Sequence, residues 1–188
     1  MRGLKYAAVL AAALGAAGCA SLDYGECRRA DWRAIGARDG EHGEPDLQLA
    51  RHREACGRYG MPPDEAAWVA GHREGLAAYC TPAGGYRAGR RGERYQGVCE
   101  SAGLFLPAFE RGSQVGALHG HVRALADSVQ QLQIESGSAD PAQAERARRE
   151  ELEVRRRYDE LRAELAQVDA RASADYGTPS LVEDGLPY

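Results

Sequence analysis

The strongest pattern in the chain is a heptad repeat of apolar positions in its C-terminal half. Apolar residues recur at alternating steps of three and four in two stretches, which a polar segment at 135–140 separates. Asp140 and Pro141 suit the N-cap and the first turn of the second stretch. We therefore predict an antiparallel coiled-coil hairpin over residues 113–174. The repeat comprises Val115, Leu118, Val122, Leu125, Val129 and Leu132, then Val154, Tyr158, Leu161, Leu165, Val168 and Ala172.

Shorter helices are predicted in the Gly- and Cys-rich region that precedes the hairpin, residues 27–112. Proline and acidic residues at the start of two segments suit the first turn of a helix, which predicts helices over about 44–58 and 62–79. A short helix is expected around Trp32, and the Thr-Pro-Ala-Gly-Gly sequence at 81–85 is expected to end the second long one. This region is thus predicted to be a small helical domain.

Composition agrees with a helical protein. The chain contains two Ile and two Phe, whereas Ala, Arg, Glu and Leu are abundant, which favours helices over a large β-sheet. The predicted fold class is all-α: a small disulfide-stapled helical domain followed by the coiled-coil hairpin. The net charge of −4 argues against broad nucleic-acid binding, so no nucleic-acid partner is expected.

An aromatic residue followed by two spaced glycines recurs along the chain. On a helix this spacing places one aromatic side chain beside a flat glycine strip. Because a glycine inside a helix costs about 1 kcal/mol relative to alanine, the repetition indicates close backbone approach, either to another helix or to a ligand. Tight helix packing is the favoured interpretation. The copies are Trp32-Gly36-Gly40, Trp68-Gly71-Gly75, Phe109-Gly112-Gly116 and the shortened Tyr86-Gly89-Gly92.

Basic residues cluster in what is predicted to be a Gly-rich loop after the second long helix. The cluster consists of Arg87, Arg90, Arg91 and Arg94, flanked by Tyr86 and Tyr95. Such a loop suits an anionic surface, for example lipid headgroups or a cell-wall polymer. An ordinary solvated loop is the favoured alternative. The candidate ligand face combines Trp68, Gly71, Gly75, Tyr86, Arg87, Arg90, Arg91 and Arg94.

The N-terminus has the zones of a secretory signal. Arg2 and Lys5 precede an uncharged Ala/Leu-rich run, and small residues lead into Cys19, which predicts a signal peptide over residues 1–18. The run is shorter than the roughly 20 apolar residues that span a bilayer. The sequence Ala16-Ala17-Gly18-Cys19 resembles the lipobox of bacterial lipoproteins, in which the cysteine sulfur receives a diacylglycerol group and the chain is cut just before it.

This resemblance implies a chain anchored to a membrane by lipid at Cys19. Residues 19–26 are expected to form a short tether, and the Gly/Pro/acid-rich residues 175–188 a flexible tail. In lipoprotein sorting, an Asp after the cysteine commonly retains the protein in the inner membrane, whereas this chain has Ala20. The resemblance therefore implies the periplasmic face of the outer membrane, with the inner membrane as the less favoured alternative.

The remaining cysteines form an even set. If Cys19 carries lipid, then Cys27, Cys56, Cys80 and Cys99 are left, and an oxidising compartment favours disulfides among them. Three pairings are possible. If the first two helices of the region are antiparallel, Cys27 and Cys56 lie at the same end of the pair, whereas Cys56 and Cys80 both close their helices and lie at opposite ends. We therefore predict Cys27–Cys56 and Cys80–Cys99.

Catalytic chemistry is not indicated. His119 and His121 are two residues apart and diverge on a helix, so they cannot chelate one ion together. The cysteines lack CxxC spacing, and no nucleophile elbow, P-loop or HExxH motif is present. We expect no enzyme activity, no metal and no cofactor.

The Cys, Gly and aromatic landmarks also resemble a known family. They are Cys27, Asp31-Trp32, Gly36 and Asp39-Gly40; Tyr59-Gly60, Trp68, Gly71, Gly75-Leu76 and Tyr79-Cys80; and Gly85-Tyr86, Gly89, Gly92, Tyr95 and Gly97-Val98-Cys99. Their order and spacing resemble the uncharacterised bacterial lipoproteins grouped as domain of unknown function 2799, over about 19–99. The resemblance implies a location in the envelope and carries no assigned activity.

Two hypotheses for function follow. The first is a structural or protein-interaction lipoprotein, whose hairpin pairs with the helices of an envelope partner. The second is a module that binds an envelope glycan or an anionic lipid through the aromatic–glycine faces and the arginine cluster.

Overall fold

The computed structural model of the chain describes residues 21–181, and all of its regular structure there is helical. The helices are α1 Tyr24–Arg28, α2 Trp32–Glu41, α3 Leu47–Gly57, α4 Glu65–Tyr79, α5 Pro82–Arg90, α6 Phe105–Glu135 and α7 Pro141–Tyr176. The predicted all-α fold class is confirmed. No helix within 21–181 combines the length and the apolar composition needed to cross a membrane.

The described residues divide into two compact units. Unit 1 contains residues 21–40 and 44–75, and unit 2 contains residues 41–43 and 76–181. The boundary predicted at residue 112 is therefore wrong. The residues after 75 pack with the hairpin instead, because α5 lies against the first turns of α6.

Unit 1 is built from short helices, and two of them, α2 and α4, cross at a pair of glycines. A Cβ added to Gly36 of α2 would overlap the carbonyl oxygen of Trp68, and one added to Gly71 of α4 would overlap the carbonyl oxygen of Arg33. Each helix thus lies directly on the backbone of the other. Contacts this close are compatible with Cα–H···O bonds and leave no room for a side chain.

Unit 2 repeats the same device between α5 and α6. A Cβ on Gly89 would overlap the carbonyl oxygen of Phe109, and one on Gly112 would overlap that of Tyr86. In both units the overlapped carbonyl belongs to the residue three before the partner's glycine. The predicted close backbone approach is therefore present in the described residues as helix–helix packing.

Helices α6 and α7 form the predicted hairpin. They pack along their length and are joined by a short polar connection, so they run antiparallel. Asp140 caps α7 by accepting a hydrogen bond from the backbone N–H of Ala142 at 2.9 Å, with Pro141 in the first turn. Their core includes several heptad residues that were predicted from the sequence. These are Val115, Val122, Val129, Leu132, Leu165 and Ala172.

Two local predictions are wrong. The hairpin begins at Phe105 and not at residue 113, because Phe105 itself is buried against Tyr79 and Tyr95. The segment 81–85 does not lead into a loop. Thr81 accepts a hydrogen bond from the backbone N–H of Gly84, so it caps a new helix that has Pro82 in its first turn.

The two ends of the described chain are also more ordered than expected. Within the predicted tether 19–26, Asp23 and Glu26 form a capping box that starts α1. At the other end α7 continues to Tyr176, and Leu181 is buried in the core of unit 2. The predicted signal peptide, Cys19 and residues 182–188 lie outside the described residues.

Candidate functional site

Both disulfides have the predicted pairing. Cys27 joins Cys56, and Cys80 joins Cys99, each with a Cα–Cα distance of 5.5 Å. Each bridge lies within one unit. The Cys27–Cys56 bridge ties α1 to the end of α3, and the Cys80–Cys99 bridge closes the segment that contains α5.

The Trp68 part of the predicted ligand face is occupied by the protein itself. Trp68 is buried, and its indole stacks on His72 with 4.3 Å between ring centroids. Gly71 lies against α2, and Gly75 is buried. These residues are packed inside unit 1 and do not present a face to a ligand.

The arginine cluster is divided between α5, which contains Arg87 and Arg90, and the non-helical segment after it, which contains Arg91 and Arg94. Tyr86 and Arg90 point inward, where both are buried, whereas Arg91 and Arg94 are exposed and Arg87 is half-buried. The loop prediction is therefore wrong for Tyr86, Arg87 and Arg90, which lie on α5, whereas Arg91 and Arg94 follow the helix.

Arg90 and Tyr86 meet a buried carboxylate. Asp169 of α7 is fully buried, and its Oδ1 lies 3.5 Å from Arg90 Nη1 and accepts a hydrogen bond from the Tyr86 hydroxyl at 3.3 Å. Asp169 Oδ2 accepts the backbone N–H of Leu181 at 2.7 Å, and Arg90 donates to the Pro179 carbonyl at 2.7 Å. This network fixes the segment after α7.

Burial sets the protonation of Tyr86. Removal from water raises the pKa of the Tyr86 phenol above its ordinary value, and the negative charge of Asp169 acts in the same direction. Hydrogen bonding to Ser173 and the charge of Arg90 act against the rise. Tyr86 is therefore a neutral donor to Asp169 at physiological pH.

The outward arginines line a shallow groove in unit 2. Arg87 and Arg91 lie there beside His42, Tyr79 and Glu41, around a volume of about 280 Å³. Arg91 also forms an ion pair with Glu93 at 2.6 Å. We name this surface the Arg87 groove. Its mixture of two guanidinium groups and one carboxylate suits a ligand that carries both an anionic group and hydrogen-bond donors.

A polar network that was not predicted from the sequence spans unit 1. The His52 imidazole is buried, with Nδ1 3.0 Å from the Ser21 hydroxyl and Nε2 2.9 Å from Asp39 Oδ2. The indole N–H of Trp68 donates to the same Asp39 oxygen at 2.8 Å. Because a carboxylate can only accept, Nε2 carries a proton, and in the neutral imidazole Nδ1 accepts from Ser21.

A serine, a histidine and an aspartate hydrogen-bonded in this order also form the triad of many hydrolases. In this chain the network has Trp68 as a fourth member, and its four residues come from four different segments of unit 1. Ser21 precedes α1, Asp39 lies on α2, His52 on α3 and Trp68 on α4. The arrangement thus joins every segment of the unit, which is the work of a structural clasp. We name these residues the His52 clasp.

Weak signals for both networks exist in the sequence. His52 is the residue one turn before Cys56 on α3, so it shares the disulfide-bearing face. Asp169 follows Leu165 by four residues and therefore falls on the apolar face of α7. A polar residue on a buried face requires a partner, although its spacing does not identify that partner.

Among residues 21–181, no three His, Cys, Asp or Glu side chains are grouped as a metal site requires. The four cysteines that a soft metal would need are held in disulfides.

The model of the family described as Protein of unknown function (DUF2799) matches residues 31–114. The resemblance to this family that the sequence landmarks indicated is confirmed over these residues. The match includes all four glycines of the two helix crossings, Gly36, Gly71, Gly89 and Gly112, and it ends inside α6.

The match to the DUF2799 model therefore ends before most of the hairpin, and α7 lies beyond it. Searches of curated proteins and of solved structures gave no significant match.

Proposed function

We propose that this chain is an envelope lipoprotein, acylated at Cys19 and held at the periplasmic face of the outer membrane, where its hairpin binds a partner protein. Its role is structural or connective and not catalytic. The lipobox-like sequence before Cys19 supports the anchor. The observation that supports the interaction role is the length and surface of the hairpin.

The hairpin continues well beyond α5. The last glycine of α6 that meets α5 is Gly116, which lies against the carbonyl of Arg90. Residues 117–135 extend α6 by about 28 Å past that point, at 1.5 Å per residue. This length is more than the α5 crossing requires, and it provides a helical surface for a partner.

The outer face of α7 has features that suit a partner helix. Leu152 is 69% exposed, although it is a large apolar residue. Further along, a shallow groove of about 300 Å³ is lined by Ala163 and Ala166 between Asp159 and Arg162. Small alanines admit an apolar side chain of a partner, and the two charges favour one orientation of it.

Replacement of Cys19 by Ser tests the anchor. We expect Cys19→Ser to leave the membrane fraction and to lose incorporation of labelled palmitate, whereas the wild-type chain keeps both. A Cys19→Ser chain that stays membrane-bound and is cleaved as before would contradict acylation.

Site-specific crosslinking in intact cells tests the hairpin. A photocrosslinking residue at Ala163 is expected to capture one defined envelope protein, and the same residue at exposed Ala124 of α6 serves as the matched control. Leu152→Arg should abolish the Ala163 product without changing the amount of chain. Equal capture from both positions, or capture unaffected by Leu152→Arg, would contradict a partner on this face.

The Arg87 groove supports a second candidate, binding of an envelope glycan or an anionic lipid. If the groove binds peptidoglycan, Arg87→Gln should weaken sedimentation of the full mature chain with isolated cell wall. Exposed Arg94, which does not line the groove, provides the control Arg94→Gln. Equal sedimentation of both variants and wild type would remove this candidate.

A further inference from the structure

We infer that an exposed surface around Tyr24, Tyr59 and Arg58 seats unit 1 on anionic phospholipid headgroups beside the anchor. We name it the Tyr24 patch. The inference rests on the acylation of Cys19 proposed above and adds the surface by which the folded unit meets the bilayer.

The described chain is held to unit 1 at its first residue, Ser21, two residues after Cys19. The Ser21 hydroxyl is hydrogen-bonded to His52 Nδ1 at 3.0 Å, and Asp39 Oδ2 is hydrogen-bonded to Nε2 on the other side of the imidazole at 2.9 Å. Only one residue, Ala20, lies between Ser21 and Cys19. Because consecutive Cα atoms are about 3.8 Å apart, the Cα atoms of Cys19 and Ser21 are within about 8 Å of each other. The anchor is thus too short for unit 1 to hang free of the membrane.

The Tyr24 patch lies next to this fixed point. Tyr24 is three residues from Ser21, so their Cα atoms are within about 11 Å. The Cys27–Cys56 disulfide holds α1 at the end of α3, and this brings Tyr24 and Tyr59 into edge-to-face contact at 5.3 Å between ring centroids. An acyl chain on Cys19 therefore places the patch near the headgroups.

The chemistry of the patch suits a membrane–water interface. Tyr24 is 55% exposed and Tyr59 is 39% exposed, so two aromatic rings face solvent side by side. Arg58 lies 5.8 Å from the centre of the Tyr59 ring and is itself exposed. Tyrosine rings are favoured at the membrane–water interface, where the ring is partly desolvated and the hydroxyl remains hydrated. A guanidinium group at the same depth binds phosphate.

The local charge around this surface is opposite in sign to the net charge of the whole chain. The segments 21–29 and 51–59, which the disulfide joins, contain five arginines and three acidic residues, whereas the whole chain has a net charge of −4. An anionic leaflet attracts such a basic neighbourhood and repels the average surface of the protein. The patch therefore orients unit 1 toward the bilayer.

The test uses the mature chain with a single acyl chain, because several acyl chains would mask the contribution of the patch. The other four cysteines are in disulfides, so a C14 maleimide couples at Cys19 alone. One chain of this length gives only marginal, reversible binding. Partition into vesicles of phosphatidylethanolamine and phosphatidylglycerol at 3:1 is then measured by sedimentation.

We expect Arg58→Gln to lower this partition about fivefold, as expected for one basic side chain near an anionic surface. The loss should vanish on pure phosphatidylcholine vesicles. Tyr24→Ser should lower partition severalfold on both lipids, and Tyr24→Trp should restore or raise it. Arg146→Gln, at an exposed position of α7, is the matched control and should have no effect.

The inference would be overturned if the Arg58→Gln and Tyr24→Ser chains partitioned into vesicles as well as the wild-type chain does. Native far-UV circular dichroism and intact disulfides would show that these variants are folded. Because the acyl chain is attached chemically, this result does not depend on processing in cells. Loss of palmitate labelling in cells would instead contradict the proposed function.

Discussion

Units 1 and 2 each contain one disulfide and one crossing of paired glycines, but they bury different side chains. The interior of unit 2 contains two clusters of apolar residues, with Phe105, Val115 and Leu165 among the most buried. Unit 1 buries Trp68 and Cys56 together with His52 and His72. The comparison teaches that the same backbone device supports a larger apolar interior that also encloses the Arg90–Asp169 ion pair, and a smaller interior in which hydrogen bonds of His52 replace part of the apolar core.

The chain offers separate probes for the two units. Both of its tryptophans, Trp32 and Trp68, lie in unit 1, and the two longest helices, α6 and α7, lie in unit 2. Tryptophan fluorescence therefore reports mainly on unit 1, and far-UV circular dichroism is weighted toward unit 2.

The largest expected effect comes from the fully buried Asp169, followed by the partly buried Asp39. Asp169→Ala leaves the Arg90 guanidinium buried without this carboxylate, which should lower the free energy of unfolding by about 3–5 kcal/mol. Asp39→Ala removes the shared acceptor of two donors, the His52 imidazole and the Trp68 indole, and should cost about 1–3 kcal/mol. Urea unfolding followed by both probes measures these losses. Equal losses for the two variants would contradict the expectation that the ion pair of unit 2 contributes more than the hydrogen bonds of Asp39 in unit 1.

The disulfides come next. Each closes a loop of 19 to 29 residues, so its removal should cost about 3 kcal/mol. Because unit 1 has the thinner apolar core, Cys27→Ala with Cys56→Ala should shift the fluorescence transition to clearly lower urea and leave the dichroism transition of the long helices nearly unchanged. Cys80→Ala with Cys99→Ala is the matched variant for unit 2. A shift of the dichroism transition alone in the first variant would refute this ordering.

The glycine crossings test what the units share. Gly71→Ala and Gly112→Ala force a methyl group onto a carbonyl of the partner helix, and each should cost about 2–3 kcal/mol. Gly120 lies in the same helix as Gly112 with open space around it, so Gly120→Ala should stabilise by up to about 1 kcal/mol. If Gly112→Ala also stabilised the chain, the crossing in unit 2 would not be as close as described.

The smallest effect concerns the pH dependence of unit 2. The pKa of Tyr86 is raised in the folded protein, so the unfolded chain loses this proton first. The contribution of the hydroxyl is fully present below pH 10 and is lost as the pH rises from about 10 through the folded pKa. Tyr86→Phe should cost about 1 kcal/mol at pH 8, and this difference should shrink above pH 10. A constant difference from pH 8 to pH 11 would contradict a buried neutral phenol.

Much of the helical framework follows from local sequence signals. Asp140 with Pro141 marks the start of α7, and the glycine spacing indicates backbone contact before the partner helix is known. Helix α5 was missed because Thr81-Pro82 both ends one helix and caps the next, and because three glycines in nine residues disfavour a helix in isolation. Packing of Gly85 and Gly89 against α6 supplies the compensating stability.

The polar networks could not be predicted because their members are far apart in sequence. Ser21 and His52 are separated by 31 residues, and Tyr86 and Asp169 by 83. Periodicity identifies a buried position on a helix, but only the three-dimensional arrangement of the helices decides which distant side chain meets it.

The consecutive pairing of the cysteines has a consequence for the order of oxidation. In a chain that emerges N-terminus first, Cys27 and Cys56 are both accessible before Cys80 has appeared, and Cys80 then meets Cys99 as the next thiol to follow. If Cys19 is acylated as proposed and its sulfur is no longer a thiol, an oxidant that joins each new thiol to the unpaired one before it produces the native bridges. Such a chain reaches its final connectivity without any exchange between mispaired disulfides, so an isomerase is dispensable for its maturation.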